Sequence, residues 1–250
     1  MAEDGTGVGV ITRAAAVLRI LGDAPEGLSL GKIAQRAGLA RSTVQRLIGA
    51  LETERLVVKG SQPGRIVLGP ELLRLARLAF PTIINRMRPL MESLSNELAE
   101  TVDFATISGD RMVFLDQVAG RHRLMAVSHV GDAFPLHCSS VGKAYLATMT
   151  PDQIERLIGT QYQARTPATI TDLPALLANL DASRATGIGF DIEEHSDGIC
   201  AVGFCFRDEA DNWFGLSVPI PTQRFVEQRD ALIARLAAVR ETLIRQYSYR

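Results

Sequence analysis

Apolar residues near the start of the chain recur at three- and four-residue steps between Val10 and Leu21, which predicts a helix with one apolar face. Turn-forming residues at 23–27 end this helix. A second helical pattern begins at Leu30, and Gly38 interrupts it. The segments on either side of Gly38 are therefore predicted to be two short helices joined by a tight turn, in which glycine can adopt a positive φ.

The second of these helices has a polar and basic outer face. Leu39, Val44 and Leu47 anchor its inner side, which leaves five side chains pointing outward: Arg41, Ser42, Thr43, Gln45 and Arg46. Side chains of these types reach phosphate oxygens and the base edges of the major groove. The sequence thus predicts a helix-turn-helix that binds double-stranded DNA.

Two short strand patterns follow at 56–58 and 65–68, joined by a segment rich in turn formers. A helix-turn-helix followed by such a hairpin is a winged helix, and we assign residues 8–69 to it. Further phosphate or wing contacts are expected from three basic residues: Arg36, Lys59 and Arg65. A small helical domain with merely solvated charges is the alternative, but the helical spacing, the basic charge and the hairpin together favour DNA binding.

The rest of the chain alternates helical and strand patterns. A helix at 70–81 is predicted to link the winged helix to a second domain at 82–250. In that domain we expect strands at 102–107, 112–118, 124–128, 188–192, 199–207 and 213–219, and helices at 82–100, 141–149, 151–158, 173–186 and 222–247. Helices around an antiparallel sheet of about six strands give an α+β fold.

The net charge of −1 conceals two unlike parts. Residues 1–70 contain nine Lys and Arg against six Asp and Glu, whereas acidic residues are in excess over the remainder. A basic head on an acidic body predicts an anionic partner for the head alone.

Composition excludes several classes of protein. With 46% hydrophobic residues the chain is not disordered as a whole, and no apolar run approaches the ~18 residues of a membrane span. The N-terminus lacks the basic and apolar regions of a secretory signal. Three cysteines without a CxxC pair are typical of a reducing compartment. We therefore expect a cytoplasmic protein with no membrane partner.

Three segments resemble the IclR family of bacterial transcriptional regulators. GLARSTVQRLIGALETERLV resembles the family's DNA-binding head, FPLHCSSVGKAYLATM resembles LPLHATAxGKAxLA, and GIGFDIEEHSDGICAVGFCF resembles GYAxDxEExxxGxxCxAxP. The resemblance implies a winged helix-turn-helix, a linker helix and a GAF-like effector-binding domain. It also implies a homodimer or dimer of dimers on palindromic operator DNA, and a small effector such as a carboxylate or an aromatic compound. We expect no enzymatic activity, cofactor or metal.

The loop that leads into a helix at Ser139 and Ser140 is a natural anion site, because free N–H groups and the helix dipole favour negative charge there. A plain serine-capped helix is the alternative. The resemblance implies eight pocket positions: Ala126, Phe134, Ser140, Val141, Asp191, Ala201, Ser217 and Pro219. Ala201 replaces the usual cysteine and Pro219 a frequent serine, so we expect a larger or more apolar organic acid.

Other chemistry stays open near this loop. Cys138 beside His137 has the setting of a redox sensor, or of the nucleophile of a thiol-dependent hydrolase or isomerase. Against both, no oriented Asp or Asn partner is apparent, and free cysteines are usually buried. No zinc-like pairing is found among His129, His137, Cys138, His195, Cys200, Asp191, Glu193 and Glu194. The acids after Asp191 are expected to be solvated, and Lys143 is assigned to the surface.

Overall fold

The computed structural model describes residues 6–247, without the side chains of residues 6–8 and 77. The chain divides after Pro81 into two compact units. The first is helical with a small hairpin, and the second combines helices with a larger antiparallel sheet. The predicted two-domain α+β fold is confirmed.

The first unit is a helix, a helix-turn-helix, a hairpin and a further helix. Its elements are α1 (Thr6–Gly22), α2 (Leu30–Ala37), α3 (Arg41–Thr53), β1 (Val57–Lys59), β2 (Ile66–Leu68) and α4 (Pro70–Ala79). The Ser29 hydroxyl accepts a hydrogen bond from the Lys32 N–H at 3.4 Å and so caps α2. Gly38 ends α2 with a φ of 63°, as predicted.

A small apolar core holds the first unit together. Val17 of α1, Ile33 of α2 and Val44 of α3 are fully buried in it. Leu28 joins the hairpin to this core, because its backbone exchanges two hydrogen bonds with Ile66, of 3.0 and 2.9 Å. The inner sides of α2 and α3 are thereby fixed, and the opposite side of α3 is left exposed.

The second unit, among the described residues, is a six-stranded antiparallel sheet with helices. The elements are α5 (Pro81–Leu98), β3 (Val102–Ser108), β4 (Arg111–Val118), β5 (Ala133–Pro135), α6 (Ser140–Leu146), α7 (Pro151–Ile158), α8 (Leu173–Thr186), β6 (Gly189–Ile192), β7 (Ile199–Arg207), β8 (Trp213–Pro221) and α9 (Thr222–Tyr247). The strand order is β5-β4-β3-β8-β7-β6. Nowhere between residues 6 and 247 is a helix both long and apolar enough to cross a membrane.

The strand predicted at 124–128 is wrong. This segment is irregular, and the edge strand next to β4 forms instead at β5. Side chains rather than a strand ladder fix the segment, since Thr101 Oγ1 donates to the Ala126 carbonyl at 2.8 Å and Ser128 Oγ donates to Asp103 at 2.9 Å. The apolar residues of this segment suggested a strand with a buried face, but Leu124 is 64% exposed.

Helix α6 packs unusually close to the sheet. A Cβ atom at Gly189 would lie 2.0 Å from the Ser140 carbonyl oxygen, and one at Gly215 would lie 2.3 Å from a Val141 methyl. Only glycine tolerates this approach at either position. The start of α6 is thus held against the face of the sheet that bears the cavity described below.

Candidate DNA interface and ligand cavity

The outer face of α3 carries the residues predicted to contact DNA. Arg41, Ser42, Gln45 and Arg46 are exposed, and Thr43 is half-buried. We call these five residues the DNA-contacting face. Because the other side of the helix is packed into the core, this face is held on a rigid element.

The first turn of α3 is open to an anion. Ala40, at the N-cap position, has no side-chain oxygen and makes no capping hydrogen bond. The first N–H groups of α3 therefore lack a side-chain partner, and Arg41 stands directly beside them. Such a helix start suits a phosphate group. This feature was not predicted from the sequence, although an alanine at a position where a capping residue is usual was the signal for it.

Among the described residues, most basic side chains near this face are not engaged in ion pairs. In the part of the chain that the structure describes, Arg36, Arg41, Arg46 and Lys59 are exposed and form no ion pair. Arg65 differs, because it is half-buried and its Nη1 donates to the Gly27 carbonyl at 2.8 Å. Arg65 therefore ties the hairpin to the turn after α1, while its phosphate contact stays a prediction.

The second unit contains a cavity of about 130 Å³. Eight of the nine residues predicted for the effector line it: Ala126, Phe134, Ser139, Ser140, Asp191, Ala201, Ser217 and Pro219. The ninth, Val141, is fully buried in the apolar core and packs against Gly215. Its predicted place in the pocket is wrong because the close contact of α6 with the sheet turns it into the core.

The strand register explains why distant residues meet at this cavity. Asp191 of β6 pairs with Ala201 of β7, which pairs in turn with Pro219 of β8. Two residues before Pro219, Ser217 pairs with Asp103 of β3. Because paired residues, and alternate residues of one strand, share a face of the sheet, these two rows point into the same space.

Several lining residues escaped the sequence analysis. They are Asp103, Met112, Phe114, Val127, Ser128, His195, Ser196 and Ile199. The sequence did contain a signal for Asp103, since it is the one charged residue of strand β3. No sequence signal pointed to His195, because its position depends on the path of the loop between β6 and β7.

Two buried carboxylates face the cavity. Asp103 is 1% exposed and accepts hydrogen bonds from Gln117 Nε2 at 2.7 Å and Ser128 Oγ at 2.9 Å. Burial raises its pKa to about 6, although these hydrogen bonds favour the ionised form. Burial also raises the pKa of Asp191 to about 7. None of the described residues that line the cavity is a lysine or an arginine.

His195 forms one wall of the cavity. Its ring stacks on Phe134 with the centroids 3.6 Å apart, and its Nδ1 lies 3.0 Å from Ser196 Oγ. Its Nε2 is buried without a hydrogen-bond partner among residues 6–247. Burial, helped by the charge of Arg165, lowers the pKa of His195 to about 4, so the ring is neutral at pH 7.

A buried ion pair supports the loop that carries His195. Lys143 of α6 is fully buried, where it pairs with Glu194 and donates to Asn179 Oδ1 at 2.9 Å. The Glu194 carbonyl accepts a further hydrogen bond from Thr169 Oγ1 at 2.6 Å. The predictions of a surface Lys143 and a solvated Glu194 are therefore wrong, because each charge is buried against the other.

The structure does not favour reactive-thiol chemistry at Cys138. The side chain is fully buried, and burial raises its pKa to about 12, which is the opposite of an activated thiol. The ring of His137 stacks on Tyr162 with the centroids 4.8 Å apart. The alternative of a plain serine-capped helix does not hold at Ser139, because its hydroxyl donates to the Pro135 carbonyl at 2.8 Å and not to an N–H group of α6. Among residues 6–247, no three His, Cys, Asp or Glu side chains are placed to hold a metal.

Cys138 is therefore expected to resist alkylation in the folded protein. Iodoacetamide at pH 7.5 should modify it at least about 100-fold more slowly than in the urea-unfolded protein, because a buried neutral thiol is a poor nucleophile. Peptide mass spectrometry after timed quenching measures this, and the unfolded sample serves as the control. Labelling of native Cys138 as fast as a free cysteine would contradict it.

Both units of the chain match models of known protein domains. Residues 10–61 match the IclR helix-turn-helix domain, and residues 77–244 match the bacterial transcriptional regulator IclR C-terminal domain. The chain belongs to the IclR family. As in that family, it is a transcriptional regulator with a DNA-binding helix-turn-helix and a C-terminal effector domain.

Individual IclR proteins match nearly the whole chain. It is 43% identical to the HTH-type transcriptional regulator Rv1719 of Mycobacterium tuberculosis, over 93% of this chain and 90% of that one. It is 36% identical to the HTH-type transcriptional regulator TtgV of Pseudomonas putida, over 90% and 86% of the two chains. Both relatives are HTH-type transcriptional regulators.

Solved IclR structures share the fold. An IclR regulator from Silicibacter sp. TM1040 superposes with a TM-score of 0.85, at 23% identity and 96% coverage of each chain. An IclR homolog from Microbacterium hydrocarbonoxydans, complexed with 4-hydroxybenzoate, has a TM-score of 0.70 at 24% identity, over 95% of this chain and 99% of that one.

Proposed function

We propose that this IclR-family regulator binds palindromic operator DNA and releases or engages it in response to a small organic molecule in the cavity. The observation that carries the proposal is the DNA-contacting face of α3, where exposed Arg41 and Arg46 form no ion pair within residues 6–247 and the helix start has no side-chain cap. In this proposal the face enters the major groove. Phosphate and wing contacts come from Arg36, Lys59 and Arg65.

We further propose that the regulator acts as a homodimer or a dimer of dimers. Support comes from large apolar side chains on helices of the first unit, since Ile11 is 73% exposed and Leu73 and Leu78 are each 62% exposed. Exposed apolar groups of this kind favour self-association. A twofold dimer would contact two half-sites about 34–36 Å apart, or a multiple of that distance. Acting on DNA, it would work in the cytoplasm.

The size of the cavity favours an effector with a single ring. A cavity of roughly 150 Å³ is enough to hold benzene, and this one measures about 130 Å³. The relative from Microbacterium hydrocarbonoxydans was solved with 4-hydroxybenzoate, which has one ring. A single-ring organic acid, as the family resemblance implies, and a neutral ring compound are both of about this size.

The DNA-binding part of the proposal is tested by salt dependence. Fluorescence anisotropy with the DNA upstream of the regulator's own gene should show an affinity that falls about 10³–10⁵-fold between 50 and 200 mM salt, as expected for six to ten phosphate contacts. Scrambled DNA of equal length is the control for specificity. An affinity that does not change with salt would contradict a basic DNA-binding face.

A further inference from the structure

We propose that the cavity binds an organic acid only together with a proton from solvent, which the ligand carboxylate and the carboxyl group of Asp191 then share. The inference rests on the proposed function, because it names the ligand class and the pH dependence of the same regulator's cavity. It depends on the charges of the cavity lining and on which oxygen of Asp191 is free to meet a ligand.

The lining holds negative charge and nothing positive to offset an anion. Asp103 and Asp191 both line the cavity, and no lysine or arginine does so among the described residues. The buried Lys143 is already paired with Glu194. Serine hydroxyls of the lining can donate hydrogen bonds, but they supply no counter-charge. A carboxylate that left water for this space would therefore be an unpaired buried charge beside like charges, unless a proton came with it.

One oxygen of Asp191 is free to hold that proton. Its Oδ1 accepts the backbone N–H groups of Glu194 at 2.8 Å and of His195 at 3.2 Å. Its Oδ2 accepts no hydrogen bond from residues 6–247 and, unlike His195 Nε2, is not enclosed by protein atoms. Because Asp191 is only 6% exposed and lines the cavity, Oδ2 opens into that space. With both lone pairs of Oδ1 in use, the proton of the neutral acid lies on Oδ2, where a ligand carboxylate can accept it.

Asp103 is not available in the same way. Both of its oxygens already accept hydrogen bonds, Oδ1 from Gln117 Nε2 at 2.7 Å and Oδ2 from Ser128 Oγ at 2.9 Å. The residue is 1% exposed, and its pKa of about 6 keeps it ionised above pH 7. Asp103 is therefore a fixed negative charge of the lining, and Asp191 is the carboxyl group that takes up the proton.

The surroundings of Asp191 place its proton equilibrium near neutral pH. Burial, helped by the charge of Glu194, raises its pKa to about 7, although two backbone hydrogen bonds and the charge of Lys143 favour the ionised form. The other titratable groups around it keep their charge between pH 7 and 8.5: Asp103, Cys138, His195 and Cys200. The protonated fraction of Asp191 falls as the pH rises through 7, so the affinity for a carboxylate should fall with it.

The test compares benzoate with benzamide in the full-length protein by isothermal titration calorimetry. From pH 7.0 to 8.5 the affinity for benzoate should fall about 15-fold, as expected for a ligand that binds only the protonated form of a group with a pKa of about 7. Benzamide has the same shape without the charge, and its affinity should not change. Titrations at pH 8.0 in phosphate and Tris, which differ in ionisation enthalpy, should show uptake of about one proton with benzoate and none with benzamide.

A single substitution assigns the proton to Asp191. Asp191→Asn keeps an oxygen for the two backbone N–H groups and places a permanent N–H donor at the position of Oδ2. Benzoate should then bind without proton uptake and, at pH 8.5, at least about tenfold more tightly than to wild type. The matched control is Asp181→Asn on α8, where the carboxylate side chain is 76% exposed, and it should keep the wild-type pH dependence.

The inference is overturned if benzoate fails to bind at pH 7.0, or if it binds wild type with no proton uptake and an affinity that does not change with pH. It is also overturned if Asp191→Asn, folded by circular dichroism, still takes up a proton with benzoate. Binding of upstream DNA, measured on the same preparations, separates the two proposals. Salt-dependent DNA binding without proton uptake overturns only this inference, whereas absence of DNA binding overturns the proposed regulator.

Discussion

Lys143→Met is expected to lower the free energy of unfolding of the second unit by about 3–5 kcal/mol, the usual cost of breaking a buried ion pair by removing one partner. The Lys143 and Glu194 side chains are 1% and 5% exposed. Methionine retains much of the apolar stem of lysine, so packing changes little. The loss arises because Glu194 remains buried without its counter-charge, and its Oε2 already lacks a partner within residues 6–247.

Urea unfolding followed by tryptophan fluorescence measures this loss of stability in the second unit, which contains the substitution. The sequence has a single tryptophan, Trp213, and it lies in β8. The matched control is Arg88→Met, since Arg88 also pairs with a carboxylate, Asp116 at 2.8 Å, but its side chain is 43% exposed. That control should cost about 1 kcal/mol or less. Equal losses in the two variants would contradict a structural role for the buried pair.

Replacing both partners should restore stability. In Lys143→Met/Glu194→Met neither charge remains buried alone, and apolar replacements of a buried pair are often neutral or stabilising. The double variant should therefore be clearly more stable than Lys143→Met. If it is no more stable, the cost of the single substitution comes from packing rather than from the unpaired carboxylate.

Arg41→Ala/Arg46→Ala is expected to weaken operator binding by about 100-fold or more. An arginine bound to a guanine edge or a phosphate contributes about 1–3 kcal/mol, and the double variant removes two such contacts from each DNA-binding head. Both side chains are exposed on α3 and form no ion pair in the described chain, so the fold should be unaffected. Loss of a phosphate contact should also reduce the slope of affinity against salt.

The matched control for this variant is Arg156→Ala. Arg156 is exposed on α7 of the second unit, and its loss also removes a positive charge. Fluorescence anisotropy with the same upstream DNA compares the variants, and circular dichroism verifies that they are folded. If the double variant binds the operator as tightly as Arg156→Ala, the DNA-contacting face has been assigned to the wrong helix.

Local patterns were sufficient to predict the first unit. The spacing of Leu30, Ile33 and Val44 and the glycine at position 38 define the helix-turn-helix, because each acts on neighbours only a few residues away. The strands of the second unit were also recognisable where one face is buried. The prediction at 124–128 failed because side-chain hydrogen bonds with Thr101 and Asp103 hold that segment.

The chemistry of the cavity was less predictable, because it depends on contacts between distant segments. The charge state of Asp191 and the unused Nε2 of His195 follow from burial, which sequence spacing does not report. Lys143 shows this dependence on distant contacts most clearly. A lysine is normally assigned to the surface, and only the position of Glu194, 51 residues later, explains its complete burial.

In the proposed regulator, a ligand in the cavity controls how tightly the DNA-contacting face binds DNA. The most direct test is anisotropy with upstream DNA, titrated with 4-hydroxybenzoate as the probe, in wild type and in Ala126→Phe, which fills the cavity from its loop. Val130→Phe, at a 64% exposed position of the same loop, is the control. The probe should change DNA affinity several-fold in wild type and control, with a reciprocal change in probe affinity, and have no effect in Ala126→Phe. An equal response in Ala126→Phe would contradict the account.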